Sequence, residues 1–202
     1  MTEFSPRKKP QQERSRRTYE GIVETASEML VEVGYHNLST NKIADRADVS
    51  VGSIYQYFPN KEAIVLAVIE QFAERQYEIL ATGLEGIEGM ELEQSVRKIV
   101  GKLLQAKREA PELSRVLFEQ LPPVGQFDIV HEWSERAIEL IASTLESRDE
   151  DFEPDDLEMS ASLVVNFAHA IVNDAVPNRN EDLKTSQIAH ETTRMILRYL
   201  NP

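Results

Sequence analysis

Apolar residues recur at three- and four-residue spacing along most of the chain, and no segment shows the alternation of a strand. The pattern therefore predicts helices throughout. Over residues 14–34 the stripe is Tyr19, Ile22, Val23, Ala26, Met29, Leu30 and Val33, and Gly34 is the expected helix stop. Ile64, Ala67, Val68, Phe72 and Ile79 mark a second long helix from residue 60 to about 82. It is long enough to link two domains. Gly83, Gly86 and Gly89 then break the pattern. Further helices are predicted over residues 90–110, 111–121, 127–147, 154–175 and 181–200. With two short helices between the first pair, the expectation is an all-α chain of about nine helices.

Those two short helices lie within residues 39–61, STNKIADRADVSVGSIYQYFPNK. Ser39 is placed to cap the first, whose inward face is Ile43, Ala44 and Ala47. Asp48 occupies the turn and Val49 plugs the corner. Ser50 caps a second helix over residues 51–57, with Ile54 inward and Phe58 packed beneath. Pro59 ends it and Asn60 caps the next. This is a helix-turn-helix pattern, whose second helix enters a DNA major groove. That helix offers Ser50, Ser53, Tyr55, Gln56 and Tyr57 as hydrogen-bonding groups with little charge. Gly52 permits close backbone approach, and Lys61 is placed for a phosphate. The bland alternative is a polar helix hairpin in an ordinary helical protein.

Thr40, Ile43, Ala44, Ala47, the run Val49-Ser50-Val51-Gly52, Tyr55, Tyr57-Phe58 and Lys61-Glu62 closely resemble the signature of TetR-type (tetracycline-repressor-like) transcriptional regulators. The resemblance spans residues 14–67. Asp48 departs from it, since the family usually has glycine there; the turn calls for a left-handed backbone, which aspartate tolerates better than most residues. The resemblance implies a basic arm at 1–13, a helix-turn-helix DNA-binding domain at 14–60, and a helical ligand-binding and dimerisation domain at 61–202. It implies operator contacts by Arg14, Arg17, Thr40, Ser50, Val51, Gly52, Ser53, Tyr55, Gln56, Tyr57 and Lys61. It further implies a homodimer through the last two helices and a small organic inducer in the C-terminal domain. The function so implied is a ligand-responsive regulator, foremost a repressor released from a palindromic operator. The alternative is a helical protein-interaction module without DNA binding, whose groove contacts would call for apolar anchors on this helix.

Charge sharpens this picture. The net charge of −13 falls entirely on residues 61–202, with 14 Lys/Arg against 27 Asp/Glu, while residues 1–60 balance eight against eight. Residues 1–17 carry six basic and two acidic groups, which gathers positive charge where a DNA face needs it. Arg7, Lys8 and Lys9 in the arm either follow a phosphate backbone or enter a minor groove, or else merely aid solubility; both the binding and the solubility readings stay open. There is no cysteine, no apolar run of membrane-spanning length and no signal-peptide pattern. The expectation is a cytoplasmic protein with no membrane association.

Other chemistry is thin. His36, His131, His169 and His190 show no metal-ligand spacing, and no glycine-rich loop cradles phosphate. No catalytic residue, metal or cofactor is assigned; the best enzymatic case would be a pocket around His169 and Glu119. In the apolar segment 163–172, Asn166 and His169, with Asn173 just beyond, share one helical face. They line a ligand cavity, fix a dimer seam as buried asparagine does in coiled coils, or form a solvated face. Phe118 and Trp133 are pocket candidates on size alone, core residues otherwise.

Overall fold

The computed structural model describes residues 12–87, 89–119, 126–148, 156–175 and 183–200. Among the described residues there are nine helices and no strand. In order they are α1 (Glu13–Asn37), α2 (Thr40–Arg46), α3 (Val51–Tyr57), α4 (Lys61–Leu84) and α5 (Leu92–Glu109), then α6 (Pro111–Glu119), α7 (Gln126–Glu146), α8 (Leu157–Ala175) and α9 (Leu183–Leu200). No described helix is long and apolar enough to cross a membrane.

Local chemistry sets the early boundaries. Gly34 takes φ 73°, ψ 167°, which interrupts α1 and leaves Tyr35–Asn37 as a separate last turn. Few residues other than glycine adopt that conformation cheaply. Ser39 caps α2, its hydroxyl accepting from the Lys42 amide. Ser50 caps α3 in the same way through the Ser53 amide. Asn60 Oδ1 accepts from the Ala63 amide at 2.8 Å and so caps α4.

The chain packs as two compact units. One takes α1, α2, α3, α4 as far as Ala73, and α6. Its core is built on Ile22, Leu30, Ile43, Ile54, Phe58 and Ile64, all fully buried. Burial of each such side chain contributes about 1.5–3 kcal/mol. Val116 and Leu117 of α6 complete this core, so the unit around the hairpin includes a segment that chain order alone assigns to the C-terminal half.

The other unit takes α4 from Glu74, with α5, α7, α8 and α9. Leu80, Val96, Val100, Leu104, Ala137, Ile141, Val165, Ile196 and Leu200 form its core. On α4 Gln76 and Leu80 are buried, while Phe72 and Ile79, both expected to face inward, are half-buried. Arg136 of α7 grips α4 with a bidentate pair to Glu74 (2.6 and 3.0 Å) and a guanidinium 4.0 Å over the Tyr77 ring. The α4–α5 connection turns on Gly86 and Gly89, both at positive φ. Lys98 Nζ donates to the Glu85 carbonyl and Arg148 to that of Met90, which fastens it at either end.

Candidate nucleic-acid interface

The α2–α3 pair is held by its own polar groups as well as by its core. Ala47 and Asp48 make the turn; Asp48 takes φ 53°, and the Val49 amide closes onto the Ala44 carbonyl at 3.0 Å. At the start of α3 the Ser50 and Ser53 hydroxyls lie 2.7 Å apart while Ser50 Oγ accepts from the Ser53 amide at 3.0 Å. Across the hairpin, Thr40 Oγ1 and the Tyr55 hydroxyl lie 3.4 Å apart. These bonds fix the outward groups before any partner arrives, which lowers the ordering cost of binding.

Two further clasps tie the hairpin to its neighbours. Arg46, at the end of α2, spans two acids on α1, Glu32 through both carboxylate oxygens and Glu28 at 3.2 Å. The hydrogen bond from Arg46 holds the Glu32 carboxyl below its ordinary range, and the same contact raises Arg46. Lys42 Nζ donates to the Asn37 carbonyl at 2.9 Å. The second clasp centres on Tyr35, which is buried at the corner after Gly34. Its hydroxyl donates to Glu62 at 3.1 Å, and Lys61 Nζ donates to its carbonyl at 3.1 Å. Behind α3, Tyr19 stacks on Phe58 at 4.8 Å and meets Tyr57 edge-on at 6.0 Å. Burial, and secondarily Glu70, push the Tyr19 phenol up to about 12.

The residues expected at an operator fall into three groups. Arg14, Arg17, Ser50, Gly52, Tyr55 and Gln56 are exposed, and Thr40 and Ser53 half-exposed. Arg14 and Arg17 border a cleft of about 520 Å³ between α1 and the Ala47–Val49 turn. Val51 and Tyr57 are half-buried and pack on the first core. Lys61 is half-buried with its ammonium on Tyr35. Of the ligand candidates, Trp133 packs against the second core. Asn166 is exposed and donates to the Ser162 carbonyl at 2.8 Å. The side chains of Phe118, His169 and Asn173, and arm residues 1–11, lie outside the described residues. Among the described residues no cluster of three or more His, Asp or Glu side chains could hold a metal ion. From the sequence, Tyr35 is only part of the link to the hairpin, Glu62 only part of the family signature, and Arg46 has no role. A signal existed for Arg46, since Glu28 and Glu32 stand one helical turn apart on α1.

The profile of "Bacterial regulatory proteins, tetR family" matches residues 22–68, and that of "Tetracyclin repressor-like, C-terminal domain" matches residues 91–200. The fatty acid metabolism regulator protein of Bacillus subtilis is 42% identical over 64 residues, covering 30% of this chain and 33% of that protein. The transcriptional repressor KstR of Mycobacterium tuberculosis is 32% identical over 108 residues, covering 53% and 46%. The chain thus spans a third of the first relative and under half of the second. In fold it is similar to the fatty acid degradation regulator FadR of Bacillus halodurans, with a TM-score of 0.73 at 19% identity over 96% of this chain and 99% of that one. A TetR-family regulator of Streptomyces coelicolor gives 0.68 at 27% identity over 93% and 99%. The two profiles between them take in both the hairpin and the helical C-terminal region, and the chain belongs to the tetR family of transcriptional regulators, which are not enzymes.

Proposed function

We propose that the protein represses transcription from a palindromic DNA operator and is released by a small organic inducer. The observation that carries this reading is the outward face of α3. Gly52, Tyr55 and Gln56 are exposed on a hairpin held rigid by its own caps, with Arg14 and Arg17 exposed at the start of α1. Polar side chains on a short helix read base edges, and flanking arginines set register on phosphate. Thr40, Ser50, Val51, Ser53, Tyr57 and Lys61 complete the proposed contact set, with the first unit as DNA-binding domain. The protein acts in the cytoplasm, where its DNA is.

A palindromic operator calls for a two-fold dimer. The proposed seam is the outer face of α8 and α9. Met159, Leu163 and Phe167 recur at four-residue spacing on α8 and are exposed, as are Met195 and Tyr199 on α9. Contiguous apolar exposure of this kind marks an association surface. Asn166 shares that exposed face of α8, which favours a dimer-seam role for it over a pocket role. The inducer is assigned to the second unit, with Trp133 as its candidate contact.

The test is selection of duplexes from a randomised pool by the purified protein. The expected product is a palindrome whose half-sites are centred about 34–36 Å apart, one helical turn, or a multiple of it. Recovery of no enriched sequence would overturn the proposal.

A further inference from the structure

Gly21 lies well inside α1, where glycine is the poorest helix former apart from proline. Neither usual reason for a helical glycine applies. The positive-φ glycines among the described residues are Gly34, Gly86 and Gly89. A Cβ built on Gly21 meets no atom within 4 Å, so no neighbour in the chain requires the space. Openness alone decides nothing, since Gly101 in α5 is equally open. What sets Gly21 apart is its place in the wall of the cleft of about 520 Å³, between Arg14 and Arg17 on α1 and Ala47 and Val49 in the turn. Arg14, Arg17 and Gly21 recur at three- and four-residue spacing and share a helix face. The opposite wall leads directly into Ser50, the N-cap of α3.

We propose that this cleft seats the sugar–phosphate backbone of the DNA strand beside the major groove that α3 enters, and that Gly21 is the residue that keeps it open. The inference rests on the operator-binding reading above and adds a backbone seat to it. Charge supports the occupant. Two guanidinium groups line the cleft against one carboxylate, that of Glu13, which holds Arg17 at 2.6 Å; Asp48, exposed in the turn between Ala47 and Val49, is not part of the lining. Both ends of that pair are largely exposed, and an exposed pair one helical turn apart is weak. A phosphate accepts two parallel bonds from guanidinium and can displace it. An enclosed organic ligand is a poorer fit, because such sites bury most of their ligand against apolar walls.

The probe is a duplex selected from a randomised library by the wild-type protein. Gly21→Gln fills the cleft with a neutral side chain of better helix propensity; it should melt no lower than wild type. Its binding should weaken roughly tenfold or more, and the slope of log affinity against log salt should fall by about one to two, near 0.9 per lost phosphate contact. Gly21→Ala adds only a methyl group and should bind within about twofold of wild type by the same measure. Gly21→Cys, in a chain with no other cysteine, should lose reactivity toward iodoacetamide when the duplex is bound, whereas Glu146→Cys on α7 should not. Wild-type affinity and salt slope in Gly21→Gln, or a thiol in Gly21→Cys that the duplex leaves unprotected, would overturn the inference. Tyr55→Ala separates it from its parent. If that variant loses the duplex while Gly21→Gln keeps it, operator binding stands and only the backbone seat falls. If the wild type enriches no duplex, both fall.

Discussion

The ammonium of Lys61 stands 4.0 Å above the centre of the Tyr35 ring and donates to the Tyr35 carbonyl. The first residue of α4 thereby fastens that helix to the corner that precedes α2. A cation over an aromatic face contributes about 0.5–1 kcal/mol at a partly exposed site, and the hydrogen bond about as much again. Lys61→Met, which keeps the stem and removes the charge, should therefore lower the urea-unfolding free energy by about 1–2 kcal/mol. A residue whose sole task was phosphate contact would leave stability unchanged and reduce the salt dependence of DNA binding by about one contact. Measuring both quantities assigns Lys61 to one task or to both.

Ile54 and Tyr55 are adjacent and face opposite ways, the first fully buried and the second 42% exposed. Ile54→Ala should cost about 2–5 kcal/mol of stability, through lost burial and the cavity left behind. Tyr55→Ala should keep the helical circular dichroism, lower stability far less than Ile54→Ala because the side chain is exposed, and strongly reduce binding to a selected duplex. Wild-type duplex affinity in Tyr55→Ala would remove that residue from the interface.

Tyr19 gives the fold an alkaline limit. Its phenol titrates at about 12 rather than 10.0, mainly because it is buried. The folded state thus holds this proton more tightly than the unfolded chain does. The resulting stabilisation is complete below pH 10 and is lost as pH rises from 10 toward 12. Tyr35, raised by burial and Glu62, contributes in the same direction. Tyr19→Phe keeps the ring on Phe58 and removes the titration. Between pH 9 and pH 11 its urea midpoint should fall less than that of the wild type.

The apolar strip on α8 and α9 sets a further expectation. Leu163→Glu places a carboxylate in the proposed seam, where burial without a partner is costly. Sedimentation velocity should show a monomer for this variant and a dimer for the wild type. Duplex affinity should fall with it, since one monomer holds a single half-site. A dimeric Leu163→Glu protein would move the seam elsewhere.

Local features of this chain were legible because short-range chemistry determines them. Ser39, Ser50 and Asn60 read as caps from their side chains, Gly34 as a stop from its backbone freedom, and Ile54 and Phe58 as core from helical spacing. The left-handed turn at Asp48 followed from the resemblance, in which glycine is usual at that position. Contacts between residues distant in sequence were not legible. Nothing in PELSRVLFE marks Val116 and Leu117 as partners of Ile22 and Ile64, since an amphipathic stripe says which face is buried and not against what. Lys61 read as a surface cation because the ring that holds it lies across the hairpin, at Tyr35. Leu80 rather than Ile79 is buried on α4 for the same reason, since the start of that helix packs in one core and Leu80 in the other.

Asp48 has a consequence for how much of the time an operator is covered. Its left-handed backbone costs a non-glycine residue up to about 1–2 kcal/mol, and its exposed carboxylate lies in the turn that borders the proposed phosphate seat. Asp48→Gly should relieve both costs, raising the melting temperature and tightening binding to a selected duplex. A gain of about 1.4 kcal/mol in binding is a tenfold gain in affinity. Such a gain would place the natural residue's grip below the ceiling its fold allows. On the proposed repressor reading, operators held below saturation leak some transcript at rest, and a modest concentration of inducer suffices to empty them.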